Sequence, residues 1–439
     1  MADAVDAIEV IEVAPGWLAS VRRRVAWVDV PRTAAALLAE VRAWLEQGGA
    51  GAPVGREVVV YHQPAEGDVE IECGVQIAEP RAGAPAPIRI ARAPSGRAAR
   101  AIHRGGGAAA AAGTAEADVR GAHEALAAAC RARGYPAGFA WEVRGAPEGE
   151  PAARPGIECY VSIDPNAAQV AYWNGPTGDR WAAIWELIDR AEVAITAGVF
   201  ALAAPAAGER VLDVGCGNGS TTLALRERVG AGGAATGVDI SAPMLAVARA
   251  RARDAGTGVA FIEADAATHP FRPEHDLVFS RFGVMFFAEP EAAFGNLLRA
   301  AAPGGRLAFV CWRTSDENAW VTVPMQAARE LVPGAAPPPP HVPGPFAFVD
   351  RDRLHGILAR AGWREIQIQR HDSSMLLGET VEQAARTSLM IGPLSRSIAE
   401  VSEDVRRRIG ERLIEALAPF AAPGGVALPA STWLVSARA

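Results

Sequence analysis

The sequence predicts an α/β fold with a largely parallel sheet, preceded by an α+β region made of a duplicated strand-helix-strand-strand unit. Three observations carry that prediction. From Glu209 onward, short apolar runs alternate with segments of helical length, the order that a parallel sheet with right-handed crossovers requires. One of these runs, Val211-Leu-Asp-Val-Gly-Cys-Gly-Asn-Gly-Ser220, breaks into a glycine-dense turn and then a helix, an arrangement suited to a nucleotide. Upstream, Ile71-Glu-Cys73 and Ile157-Glu-Cys159 recur 86 positions apart in similar surroundings.

Composition sets the outer limits. A chain of 439 residues, half of them hydrophobic, exceeds one ordinary core, and the pattern divides it into 1–165 and 166–439. A net charge of −7 and a pI near 5.7 argue against nucleic acid as a partner. All 43 basic residues are arginine. Cysteines 73, 130, 159, 216 and 311 are scattered without a C-x-x-C pair, which fits a reduced, cytoplasmic protein with no metal site. The acidic start Met1-Ala-Asp-Ala-Val-Asp lacks the order of a signal peptide, and no run of 18 apolar residues occurs, so a soluble protein without a membrane partner is expected.

The first copy of the repeat starts with a strand at 7–13. A helix at 30–48 follows, with Ala34, Leu37, Leu38, Val41, Trp44 and Leu45 on one face. Strands at 56–61 and 69–77 flank a turn at Pro64-Ala-Glu-Gly67. The second copy reads as a strand at 98–103, a helix at 117–134, a strand at 139–143, a turn at 147–149 and a strand at 156–163. The run Gly105 to Gly113 between them has the composition of a loop.

Residues 7–165 resemble the gyrase-inhibitor-like (GyrI-like) small-molecule-binding domain. That resemblance implies a cleft between the copies in which Glu142, flanked by Trp141, meets an amphipathic, often cationic ligand, since a carboxylate in an apolar cleft seeks a cation. Arg144 stands where that family usually carries a tyrosine and brings a cation beside Glu142.

Between the two regions, 167–203 reads as mostly helical. It is interrupted by Tyr172-Trp-Asn-Gly-Pro-Thr-Gly-Asp179, whose composition suits either a lid carrying Tyr172 and Trp173 or aromatic packing, Trp181 and Trp185 having i, i+4 spacing. The α/β part then runs as strand 210–214, helix 220–229, strand 234–238, helix 242–253, strand 259–263, strand 277–279, helix 289–302 and strand 306–312. A turn at Pro303-Gly-Gly305 feeds the last of these. Beyond Trp312 lie a Pro-rich insertion at 313–346, a helix at 354–361, an edge strand at 362–368, helices at 381–391 and 398–420, and a final strand at 431–437.

In an open sheet of this kind, ligands bind beyond the carboxyl ends of the strands. A nicotinamide fingerprint would place its third glycine at 220, whereas here it falls at 219, with Asp213 two residues before the first. This D-x-G-x-G-x-G motif resembles motif I of class I S-adenosylmethionine-dependent methyltransferases, and the resemblance extends over 165–439. It implies a Rossmann-like seven-stranded methyltransferase sheet with S-adenosylmethionine as cofactor. Asp213 and the backbone at Gly215, Cys216 and Gly217 would hold the methionine half. Asp239 would accept the ribose hydroxyls, Ile240 and Met244 flank the adenine, and Asp265 with Ala266 meet its amino group. Ser280 and Arg281 would face the sulfonium, with Phe282 on the acceptor side.

Methyl transfer from a sulfonium depends chiefly on alignment in a dry site, and a base is needed only for an acceptor of high pKa. His269 and Arg281 are the candidates nearest the site, His355 and His371 lying further along; a lone histidine is more often structural. Cys216, inside the glycine turn, reads as a small packing residue. The expected activity is methylation of a small, partly hydrophobic molecule, cationic or aromatic, with the N-terminal domain binding a substrate or effector; a homodimer is left open. The alternative is a small-molecule sensor or sequestering protein with a vestigial methyltransferase half.

Overall fold

The computed structural model describes residues 8–14, 16–47, 55–62, 68–79, 84–103, 115–133, 140–145, 156–332, 334, 336–398 and 401–439. The chain divides into Met1–Ala171 and Tyr172–Ala439.

In the first unit the strands are β1 (Glu9–Val13), β2 (Trp17–Ala26), β3 (Glu57–His62), β4 (Asp68–Ile77), β5 (Arg89–Arg92), β6 (Gly96–His103), β7 (Ala140–Gly145) and β8 (Gly156–Ser162). The helices are α1 (Val30–Gln47) and α2 (Ala115–Ala132). The strands form one antiparallel sheet in the order β1-β6-β8-β7-β3-β4-β2-β5. Two β-α-β-β runs, β2-α1-β3-β4 and β6-α2-β7-β8, meet where β3 pairs with β7.

The apolar stripe of α1 is buried against Val59, Ile71, Cys73 and Val75, and Leu126 and Cys130 of α2 pack on Ala99, Cys159 and Val161. The first copy thus begins at β2, not at 7–13. Strand β1 pairs with β6 of the second copy, and β5 pairs with β2 of the first. The turns at 64–67 and 147–149, the run 105–113 and the helix ends Gly48 and Gly134 lie outside the described residues.

Helix α3 (Ala167–Trp173) runs across the division, and the second unit continues through α4 (Pro176–Ala183), α5 (Trp185–Ala191) and α6 (Val193–Ala203). The alternating part follows as β9 (Arg210–Val214), α7 (Ser220–Val229), β10 (Ala234–Asp239), α8 (Ala242–Asp254), β11 (Ala260–Glu263), β12 (His275–Arg281), α9 (Pro290–Ala300) and β13 (Ala301–Trp312). Then come α10 (Ala319–Ala328), α11 (Arg351–Arg360), β14 (Arg364–Gly378), α12 (Val381–Met390), α13 (Gly392–Ser397), α14 (Glu403–Leu417), β15 (Ala421–Ala422) and β16 (Gly425–Arg438).

The sheet runs β11-β10-β9-β12-β13-β16-β14, with β15 attached to β16. Strands β9 to β13 are parallel, and β16 lies antiparallel between β13 and β14. Phe279, Phe294, Phe309 and Leu212 are fully buried on it, each contributing roughly 1.5–3 kcal/mol. Pro303-Gly-Gly305 is not a separate turn but an irregularity inside β13, opposite the step from His275 to Leu277. The helical stretch expected at 398–420 resolves into α14 and a short 3-10 turn, Ala418–Phe420. The Tyr172–Asp179 interruption shrinks to Asn174-Gly175, because Pro176 occupies the first turn of α4, where a missing N–H costs nothing.

Candidate functional site

Backbone geometry makes the glycines of the turn after β9 necessary. Gly215, Gly217 and Gly219 have φ of +67°, +52° and +80°, the left-handed region that other residues avoid. A Cβ on Gly215 would lie 2.5 Å from the Cα of Gly283, so this turn and the loop after β12 touch backbone to backbone. The N–H groups of Gly215 and Cys216 donate to Val238 O at 2.8 and 3.2 Å, and that of Gly217 donates to Asp239 Oδ2 at 2.8 Å. These three donors are spent inside the protein, and Gly219 N donates to Cys216 O at 2.9 Å.

Asp213 is fully buried at the end of β9. Its Oδ2 accepts from Thr221 Oγ1 at 2.7 Å and Thr222 Oγ1 at 2.6 Å, while its buried Oδ1 has no partner. Burial pushes this carboxyl up to about 6, against the pull of the two threonines and of Arg281. An unmatched carboxylate oxygen at this depth fits a cationic ligand group.

Asp239 ends β10. Its Oδ2 accepts from Gly217 N and its Oδ1 from Ser241 N at 2.8 Å, which leaves a lone pair on each oxygen of a half-buried carboxylate. Burial raises its pKa and those N–H groups hold it down. The Ile240 carbonyl accepts from Asn174 Nδ2 at 2.8 Å, and Asn174 Oδ1 accepts from Ala242 N at 2.9 Å. Ser241 Oγ donates to Trp173 O at 2.7 Å. The α3–α4 junction is thereby pinned along the loop after β10, a pairing that the sequence did not suggest.

Met244 is buried on α8, its Cε 2.7 Å from where a Cβ on Gly217 would stand. The Cys216 sulfur lies over Gly237, and burial pushes its thiol far up. Asp265 Oδ1 accepts from Ala267 N at 2.8 Å. The carbonyls of Ala266 and His269 both accept from Asn296 Nδ2 at 2.9 Å, and the His269 ring packs edge-on against Phe271. Ser280 is buried, donating to Val214 O at 2.7 Å and accepting from Gly283 N at 3.1 Å, so it ties the two loops together.

Arg281 reaches toward the α5–α6 junction. It donates to Thr196 Oγ1 at 2.9 Å and contacts Glu192 Oε2 at 3.3 Å and Asp189 Oδ1 at 3.4 Å. Phe282 holds a left-handed φ of +64°, a strain of roughly 1–2 kcal/mol for a bulky residue, and stacks on Trp312 at 4.3 Å. Trp312 in turn meets Trp320 at 4.7 Å. A second aromatic group joins Tyr172, Trp173, Trp181 and Phe286, with Arg396 over the Tyr172 ring. Trp185 instead stacks with Arg251, so Trp181 and Trp185 do not form a ring pair along one helix. At the end of the insertion, Phe346 and Phe348 are buried and Gly344 N donates to Met285 O at 3.0 Å.

In the first unit the structure separates Trp141 from Glu142. Adjacent strand residues face opposite ways. Trp141 stacks on Tyr160 with Val58, Val60 and Leu18 on the face away from the helices. Glu142 registers with Val59 and Cys159, which pack under α1 and α2. Fully buried, it accepts from Tyr61 Oη at 3.1 Å and from Arg144 Nε at 2.7 Å, so its charge is met within the chain. His123 of α2 sits beside it, edge-on to Tyr61, and burial lowers its pKa. Among the described residues, no group of His, Cys, Asp and Glu could hold a metal ion and no helix is long and apolar enough to cross a membrane.

The family model of a methyltransferase domain matches residues 211–305, the stretch that holds this glycine turn and the carboxylates at the ends of β9 and β10. Among curated proteins, the chain is similar to demethylmenaquinone methyltransferase of Thermus thermophilus, 45% identical over 108 residues, 24% of this chain and 48% of the relative. It is also similar to aklanonic acid methyltransferase of Streptomyces sp. strain C5, 36% identical over 107 residues, 24% of this chain and 49% of the relative. The chain thus spans about half the length of these relatives. Among solved structures, Haemonchus contortus phosphoethanolamine N-methyltransferase 2 with S-adenosyl-L-methionine aligns with a TM-score of 0.39 and 16% identity, covering 65% of this chain and 64% of that one.

Proposed function

We propose that the chain methylates a small, partly hydrophobic molecule using S-adenosylmethionine, and that its N-terminal unit, a GyrI-like domain in this reading, binds a substrate or effector. The bound cofactor supplies a methyl group on a sulfonium, open to in-line displacement by the acceptor. Asp213 Oδ1 receives the ammonium of the methionine half together with carbonyls of the 215–217 turn. Asp239 uses its remaining lone pairs for the ribose hydroxyls. Ile240 and Met244 flank the adenine, and Asp265 and Ala266 meet its amino group.

Ser280 keeps the two loops in register, and Phe282, backed by the buried Trp312, offers apolar surface to the acceptor, as do the edge-on rings of Tyr172 and Trp173. Alignment and exclusion of water carry the rate, a contribution that reaches effective molarities on the order of 10⁵ M and above in well-oriented systems. Relatives named for demethylmenaquinone and aklanonic acid support a small-molecule acceptor.

The observation that carries this reading is the buried, partnerless Oδ1 of Asp213 beside a glycine turn that is folded onto Val238 and Asp239 through the N–H groups of Gly215, Cys216 and Gly217. Replacing Asp239 by Ala removes both the ribose acceptor and the bond that holds Gly217. Calorimetry should then show cofactor binding abolished, and micromolar affinity in Asp239→Ala would sink the assignment.

A further inference from the structure

We propose that Asn174 is a positioning residue which, by bridging Ile240 O and Ala242 N, fixes the direction in which the Asp239 carboxylate meets the ribose hydroxyls of the cofactor. The inference rests on the methyltransferase reading above, in which Asp239 takes the ribose, and it adds a residue that touches neither cofactor nor acceptor in that reading.

Asn174 is half-buried at the junction of α3 and α4, and both ends of its amide are used. Its Nδ2 donates to Ile240 O at 2.8 Å, and its Oδ1 accepts from Ala242 N at 2.9 Å. The first bond is the one that orients the site, because the Ile240 carbonyl and the Ser241 N–H belong to one peptide group. That group is planar and trans, so its C=O and N–H point in opposite directions. Holding the carbonyl toward Asn174 therefore aims the Ser241 N–H away from it, and that N–H donates to Asp239 Oδ1 at 2.8 Å. Asp239 Oδ2 accepts in turn from Gly217 N, so the series of bonds runs from Asn174 through Asp239 into the glycine turn. Bonds linked in this way polarise one another.

Local sequence does not hold this peptide by itself. Ser241 is the N-cap of α8, yet its hydroxyl makes no cap bond and donates instead to Trp173 O at 2.7 Å. Asn174 Oδ1 supplies the acceptor for Ala242 N, the first N–H of that helix. The junction is also seated by packing, since a Cβ on Gly178 of α4 would lie 3.1 Å from Pro243 Cγ of α8.

The test measures, by calorimetry on the full chain, the dissociation constants of S-adenosylhomocysteine and of its 2′-deoxy analogue, which lacks one hydroxyl for Asp239. The wild-type chain should prefer the hydroxylated ligand by about tenfold or more, the order of one hydrogen bond to a charged group. In Asn174→Ala most of that preference should be lost, because a carboxylate without a fixed direction gains less from the second hydroxyl. Asn174→Asp keeps an acceptor for Ala242 N but loses the donor to Ile240 O, and it should lose the preference as well. A ratio that stays at the wild-type value in either variant, including equal weakening of both ligands, would overturn the proposal and leave Asn174 a structural tie between α4 and α8. If circular dichroism shows Asn174→Ala unfolded, Asn174→Asp decides by the same ratio. A wild-type chain that binds neither ligand would instead overturn the methyltransferase reading, and one that binds both equally would overturn the ribose role of Asp239 and the proposal with it.

Discussion

Asp213 carries an unusual imbalance, with one carboxylate oxygen bonded twice and the other not at all. Its folded pKa of about 6 exceeds the usual 3.8, so the folded chain holds this proton more tightly than the unfolded one. The contribution of Asp213 to stability is therefore greatest below about pH 4 and is lost as pH rises through 6, a swing of roughly 3 kcal/mol. Binding an ammonium group requires the ionised form. Affinity for S-adenosylmethionine should be flat above pH 7 and weaken toward tenfold per unit below pH 6, measured by calorimetry at pH 5, 6 and 8. Asp213→Asn should remove that dependence. The motif spacing made Asp213 and Asp239 legible as a pair, whereas the ion pairs of Arg281 were not, since its partners Asp189 and Glu192 come from a helical region that only tertiary packing brings to it.

At the scale of elements, β7 shows how a strand sorts its residues. Glu142 and Arg144 share the helix-covered face, and the pairing strands a carboxylate if the arginine is removed. Arg144→Ala should destabilise the first unit by about 3 kcal/mol in a denaturant melt. Adding Glu142→Gln should recover part of that loss, whereas purely additive effects would show that the two do not interact. The same logic explains what the sequence concealed. Strand β2 contains Arg22-Arg-Arg24, which interrupts any apolar alternation, yet Arg22 reaches the buried Glu72 at 2.8 Å and the strand pairs over ten residues with β4. Tyr172–Asp179 reads as a loop from its Gly and Pro content. In the fold, a Cβ on Gly178 would stand 1.9 Å from Trp173 O, so that glycine serves close packing of α4 on α3 and not flexibility.

For the whole molecule, the alternation from Arg210 to Trp312 was legible because each strand is a short apolar run bounded by glycine or a charged turn. The C-terminal part was harder. Strand β14 is exposed and polar over much of its first half, and its partner β16 follows only after three helices, so neither length nor order could be read from local pattern. The repeat in the first unit was visible through Ile-Glu-Cys, but the exchange of β1 and β5 between copies depends on non-local pairing. The central claim is methyl transfer to a small molecule, and methyl-labelled S-adenosylmethionine incubated with the full chain and a panel of cationic and aromatic acceptors tests it most directly. The account predicts label in the small-molecule fraction with the wild-type chain and none with Asp239→Ala. Ligand binding without any label moved across the panel, or transfer that survives Asp239→Ala, would contradict it.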